Sequence, residues 1–178
     1  MMLRPLERSM SVIVSGDQIP EVTAGEDSIK CFRDLCKNKL KCSIPANEIT
    51  SAFRAGREPL NQTPDKRVMI VKFLNRESKD DLLKSCRREK PSGLYINENL
   101  IKSRSEILYS LRQAKRQFPE RIDGLGSQQG KIYLWFKCAD RPTKNVKIFI
   151  NNRRTLEDFC TKSLSVELSV LVARRPSK

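Results

Sequence analysis

The order in which short β-branched runs and helical-period stretches follow one another constrains this chain more than any other feature. Ser11-Val12-Ile13-Val14-Ser15 is a β-branched run stopped by Gly16-Asp17, which predicts a strand and a turn. Thr23-Ala24-Gly25-Glu26 has the Ser/Thr-x-x-Glu form of a capping box, and Ile29, Phe32, Cys36 and Leu40 then recur at helical spacing, so a helix is expected. Residues 47–55 predict a second strand, and Lys66 to Leu74 a third around Val68-Met69-Ile70-Val71. Glu77 to Arg88 predicts a second helix begun by Asn75, and Leu94-Tyr95-Ile96 a fourth strand. The succession is βαββαβ, the order of the split βαβ folds.

After Asn99 the pattern changes. Ser103-Arg104-Ser105-Glu106 is a second capping box, and Ile107, Leu108, Leu111, Ala114 and Phe118 form one apolar stripe that Pro119 ends. Gly124 to Gly130, with Ser127-Gln128-Gln129 between glycines, has loop composition, and strands are expected at Lys131 to Cys138 and Val146 to Ile150. A last helix is expected over Arg154 to Lys162, whereas the apolar run Val166 to Val172 suits strand or helix equally. The expected fold class is α+β. A ferredoxin-like βαββαβ domain of RNA-recognition type spans 11–100 and a small α+β C-terminal domain spans 101–173, with an N-terminal remnant at 1–10 and a basic tail at 174–178.

A length of 178 residues with 38% hydrophobic side chains suffices for two small cores. No apolar run approaches the roughly 20 residues of a membrane span, and the start MMLRPLERSM has no signal-like stretch, so a soluble, intracellular chain without a membrane partner is expected. Cys31, Cys36, Cys42, Cys86, Cys138 and Cys160 are then expected as reduced thiols. With no CxxC pair and no histidine, neither a metal nor another cofactor is expected. The missing histidines also remove the commonest general base, and no Gly-rich phosphate loop of Walker or Rossmann spacing occurs, which predicts a non-enzymatic protein. A metal-dependent nuclease using Glu77, Asp80, Asp81 or Glu157 is the enzymatic alternative, against the simpler view that helix-surface acids are just solvated.

The net charge of +14 is unevenly placed: residues 1–65 hold 9 basic and 9 acidic side chains, residues 66–178 hold 26 and 12. A surface that neutralises phosphates produces such asymmetry, while a merely solvated basic surface is the bland alternative. On the strand Lys131 to Cys138, Ile132, Leu134, Phe136 and Cys138 share one face, and Lys131, Tyr133, Trp135 and Lys137 share the other. The second set interleaves cations that track phosphates with rings that stack bases, and Lys147 and Phe149 repeat the idea on the next strand. Tyr133 and Trp135 would equally suit a buried place under a helix.

The helix after Ser103 turns Arg112 and Arg116 away from its apolar stripe, with Arg104 and Lys115 flanking. In the first domain, Arg54, Arg57 and the run Arg87-Arg88-Glu89-Lys90 supply the cations. Its sheet lacks the usual stacking rings, since Val12-Ile13-Val14 and Val68-Met69-Ile70-Val71 are followed only by Phe73. That gap motivates a second hypothesis, a protein-interaction module.

Five motifs occur in order over about residues 11–165: Val12-Ile13-Val14-Ser15-Gly16, Ala52-Phe53-Arg54-Ala55-Gly56, Arg67-Val68-Met69-Ile70-Val71-Lys72-Phe73, Ile96-Asn97-Glu98-Asn99-Leu100 and Leu111-Arg112-Gln113-Ala114-Lys115-Arg116. In that order they resemble the first-open-reading-frame protein of LINE-type retrotransposons. The resemblance implies sequence-tolerant binding of single-stranded RNA or DNA in a basic cleft between an atypical RNA-recognition domain and a C-terminal domain. It also implies nucleic-acid chaperone activity and packaging of element RNA into a ribonucleoprotein, cytoplasmic and also nuclear. It places Arg54 and Arg57 at the basic positions after the second strand and Arg104 near the arginine that opens the linker helix. That family trimerises through an upstream coiled coil. Here Leu3 to Ser9 is too short for two heptads, so a homo-oligomer would need a coiled coil missing from this chain. The segment beginning Ile96-Asn97-Glu98 also looks like the C-terminal part of baculovirus few-polyhedra proteins, which implies a viral or domesticated relative as the alternative.

Overall fold

The computed structural model describes residues 8–20, 25–56, 67–137, 145–166 and 168–169. These residues form an α+β structure of two antiparallel sheets and four helices. The chain divides into two units, Met1–Asn99 and Leu100–Lys178, each around a hydrophobic core of its own. Among the described residues no helix is long and apolar enough to cross a membrane.

The first unit runs β1 (Ser11–Ser15), α1 (Ser28–Leu40), a single 3₁₀ turn (Ala46–Glu48), β2 (Ile49–Arg54), β3 (Met69–Phe73), α2 (Arg76–Glu89) and β4 (Tyr95–Glu98). Its sheet has the order β2-β3-β1-β4, antiparallel throughout. Alternation sends Val12, Val14, Met69, Val71, Phe73 and Ile96 to one face, where Phe32, Leu35, Cys36 and Leu40 of α1 and Leu82 and Leu83 of α2 bury them. Helix α1 starts later than its sequence suggests. Asp27 is the cap, its carboxylate accepting from the Ile29 and Lys30 amides, and Thr23 lies outside the described residues. Glu26, expected to close a capping box, instead accepts from the Ser28 hydroxyl and from Arg54. Asn75 caps α2 as expected, accepting from the Ser78 amide. Lys79 of α2 is buried, its ammonium donating to the Ser9 carbonyl at 2.7 Å and to Glu98 at 3.2 Å, which ties α2 to the lead-in of β1 and to β4.

The second unit runs α3 (Lys102–Gln117), β5 (Ile122–Gln128), β6 (Lys131–Lys137), β7 (Asn145–Ile150) and α4 (Arg153–Phe159), closed by a π-helical turn (Cys160–Leu164). Its sheet has the order β5-β6-β7. The expected loop at Gly124–Gly130 is therefore mostly strand. Two glycines in seven residues give β5 little strand propensity of its own, and its pairing with β6 from Ile122↔Phe136 to Gln128↔Lys131 makes it one. The second capping box also fails: α3 begins at Lys102 after Ile101 with no side-chain cap, so Ser103 lies inside it. Asn152 caps α4 through the Thr155 amide, one residue earlier than expected, and the helix widens after Phe159 into the π turn. Of the Val166 to Val172 run, only 166 and 168–169 are described. Ile107, Leu108, Leu111 and Ala114 of α3 pack with Ile132, Leu134, Phe136 and Ile150 on one face of the sheet, joined by Leu156 and Phe159 of α4.

Cys31, Cys36, Cys42, Cys86 and Cys160 are free thiols, and Cys138 lies outside the described residues. Burial pushes the Cys36 thiol far up and the Cys160 thiol to about 11, so both stay protonated at neutral pH.

Candidate nucleic-acid interface

With both helices on one face of the C-terminal sheet, the other face carries every second residue of its strands: Lys131, Tyr133, Trp135 and Lys137 from β6, Lys147 and Phe149 from β7, and Gly124 and Gly126 from β5. Tyr133 and Trp135 thus lie on the side away from the helices, and a place beneath one is excluded. Trp135 is 37% exposed and Phe149 44%, while Tyr133 is half-buried. Register pairs Gly126 with Tyr133 and Tyr133 with Phe149, and one step along pairs Gly124 with Trp135 and Trp135 with Lys147. Tyr133 and Phe149 meet edge to face at 6.5 Å between centroids. The Lys147 ammonium stands among the rings, 4.3 Å from the Tyr133 centroid, 5.2 Å from Phe149 and 5.7 Å from Trp135.

One end of this face is tied off by polar bonds. Asp123, in the bulge of β5, has its carboxylate 3.7 Å from the Lys137 ammonium and accepts from the Asn145 side-chain Nδ2 at 3.0 Å. Both partners of the ion pair are solvated, so it is weak and opens readily to a phosphate. Lys131 is exposed at the opposite end.

The other expected site residues divide into three groups. Arg112 and Arg116 are exposed on the outward side of α3. Because α3 covers the apolar face of the sheet, they sit behind the rings by the thickness of a sheet and a helix, on the order of 20 Å. They belong to a second surface. Arg104 and Lys115 reach backbone carbonyls of the β5–β6 hairpin instead: Arg104 donates to the Gly130 carbonyl in its turn at 3.1 Å and Lys115 to the Asp123 carbonyl of β5 at 2.5 Å.

Arg54 is corrected. Its side chain is only 5% exposed, and its guanidinium pairs with Glu26 at 2.8 Å while donating to the Pro20 and Arg67 carbonyls. These bonds consume the fork that a phosphate would need, and the arginine pins β2 to the approach of α1. Its charge holds the Glu26 carboxyl below the usual carboxylate range, chiefly through that hydrogen bond. Arg57 lies outside the described residues. Arg88 pairs with its neighbour Glu89.

Of the carboxylates of the nuclease alternative, Glu77, Asp80 and Asp81 lie on α2 and Glu157 on α4. Asp81 pairs with Lys84, Glu157 pairs with Arg153, and among the described residues no group of three or more metal-ligating side chains comes together. Phe149, expected with Lys147 on the next strand, joins the ring cluster. Sequence reasoning missed two features of the sites. Gly124 and Gly126 look like loop residues until they are paired. In the first unit, Phe53 (40% exposed) and Tyr95 (61%) sit on the edge strands of the open face, around half-buried Ile13 and Ile70 at its centre.

Compared with known proteins, the chain matches no family model and no curated sequence, so its function has to be argued from these surfaces.

Proposed function

We propose that this chain is a non-enzymatic, sequence-tolerant binder of single-stranded RNA or DNA, and that it serves in ribonucleoprotein packaging as the first-open-reading-frame proteins of LINE-type retrotransposons do. The carrying observation is the open face of the C-terminal sheet, where exposed Trp135 and Phe149 alternate with lysines in a unit holding 17 basic and 7 acidic side chains. Water-exposed rings on a cationic sheet suit bases and phosphates together, and they need no hydrogen-bond reading of sequence. The first unit is proposed as a ferredoxin-like domain of RNA-recognition type. Its element order and its β2-β3-β1-β4 sheet with helices on one face support that.

A salt-titrated competition among single-stranded RNA, single-stranded DNA and duplex tests the proposal. Binding to an unstructured oligonucleotide is expected to weaken with salt at a log-log slope of about −0.7 per phosphate contacted, and Trp135 emission is expected to be quenched at saturation. Affinity that is flat across salt, with unchanged emission, defeats it. A second function, docking of another protein on the first unit's sheet, is favoured by Phe53 and Tyr95 around Ile13 and Ile70. Partners that stay bound after nuclease treatment and are lost on Phe53→Ser would support it.

A further inference from the structure

Why β5 carries glycine at 124 and 126 has no backbone answer. Neither residue is among those with positive φ, so an ordinary side chain fits the main chain at both positions. Strands lose stability to glycine, and β5 carries two of them. What the two positions lack is room above them. A Cβ on Gly126 would lie 3.0 Å from the Tyr133 hydroxyl oxygen, and one on Gly124 would lie 3.3 Å from Cδ1 of Trp135. Gly126 and Tyr133 are directly paired, so the far end of the tyrosine over Gly126 means that the ring leans across onto β5. At Gly124 only Cδ1 of Trp135 comes within 4 Å, so the indole meets β5 by an edge. A ring lying across a sheet presents one face to solvent and a ring standing on an edge presents its sides, and a base stacks on a face.

The spacing of the two rings then selects the ligand. Residues i and i+2 of a strand are about 6.7 Å apart, about twice the 3.4 Å rise between stacked bases in a duplex strand. One base on each ring demands a strand stretched out of its own stack, which a paired helix cannot supply. The outer face of Tyr133 is already occupied by the Lys147 ammonium. That cation fills the place of a base, and a base that takes its place frees it for a backbone phosphate.

We propose that Gly124 and Gly126 are specificity-determining residues: they leave room for Tyr133 to lie across β5 and for Trp135 to rest an edge on it, so that the two rings take two consecutive unstacked bases of a single strand, and the bases displace Lys147 from the rings onto a neighbouring phosphate. This deepens the single-strand function proposed above and depends on it. The full chain is titrated with a short single-stranded oligonucleotide, with an abasic strand of equal length and with a duplex. The wild type is expected to prefer the base-bearing strand over the abasic one by at least about tenfold. Gly124→Val/Gly126→Val is expected to erase that preference, leaving the salt slope and an unfolding midpoint no lower than wild type. Tyr133→Leu/Trp135→Leu is expected to erase it too, and decides the matter should the valine variant be unstable. Lys147→Met is expected to keep the preference and reduce the slope by about 0.7, one phosphate.

If either double variant, folded, keeps the base preference, the platform is overturned. If the wild type binds base-bearing and abasic strands alike with a steep salt slope, the platform falls while single-strand binding through phosphates stands. If it binds neither, both fall.

Discussion

Arg54 and Glu26 show how one residue changes meaning when its surroundings are known. An arginine after a strand in a chain of net charge +14 invites a phosphate, yet this one is 5% exposed against a carboxylate that is 10% exposed. Arg54→Ala is expected to cost about 2 kcal/mol of stability, between the values of exposed and fully buried pairs, because it strands a nearly buried carboxylate. Chemical denaturation checks the cost, and single-strand affinity is expected to be unchanged. The pH dependence follows from Glu26, whose folded pKa is lowered by Arg54. A lowered folded pKa means that the pair's contribution is fully present above the ordinary Glu value, about 4.3, and is lost as pH falls through that value and below. The stability gap between wild type and Glu26→Gln should therefore be constant near neutral pH and shrink in acid. A gap that widened on acidification would contradict the sign. The composition of Arg54, Glu26, Lys79 and Glu98 was legible, but their pairing across 28 and 19 residues was not, since each partner lies on a different element.

Among the elements, those with strong local signals formed where their residues say they should, and those with weak ones were decided by neighbours. β1 and α2 carry a β-branched run and an Asn cap, and both stand at their expected places within a residue or two. β5 carries two glycines and needs β6 to be a strand at all. Both proposed capping boxes failed, because a Ser or Thr three residues before Glu is a motif that a better-placed Asp27 or an earlier start at Lys102 overrides. Asp27→Ala is accordingly expected to destabilise the first unit by about 1 kcal/mol, and Ser103→Ala to change stability by no more than about 0.5 kcal/mol, as measured by thermal unfolding. In the second unit, Leu134→Ala removes the fully buried centre of β6 and is expected to cost about 3 kcal/mol. Since the two cores share no residue, hydrogen exchange in β1 and β3 should be untouched by that change.

For the whole molecule, the question is how one positive excess is shared among surfaces. Residues 100–178 hold 17 basic side chains against 7 acidic, but these face two ways, with Lys131 and Lys147 beside the rings and Arg112 and Arg116 on the back of α3. Arg112→Glu/Arg116→Glu is therefore expected to lower affinity and flatten the salt dependence while leaving the fractional quenching of Trp135 at saturation intact. Lys131→Glu is expected to change both affinity and quenching, and equal behaviour of the two variants would mean a single continuous surface. Sequence by itself determined the α+β class, the succession of strands and helices apart from β5, the side of β6 that is apolar and the location of the excess charge. All of these follow from local period and composition. Only the tertiary structure decided that the polar side of β6 is open, that Gly124 and Gly126 lie against its rings, that Arg54 is spent on Glu26 and that the arginines of α3 point the other way. Those outcomes depend on which element covers which face, and residues far apart in the chain settle that by packing.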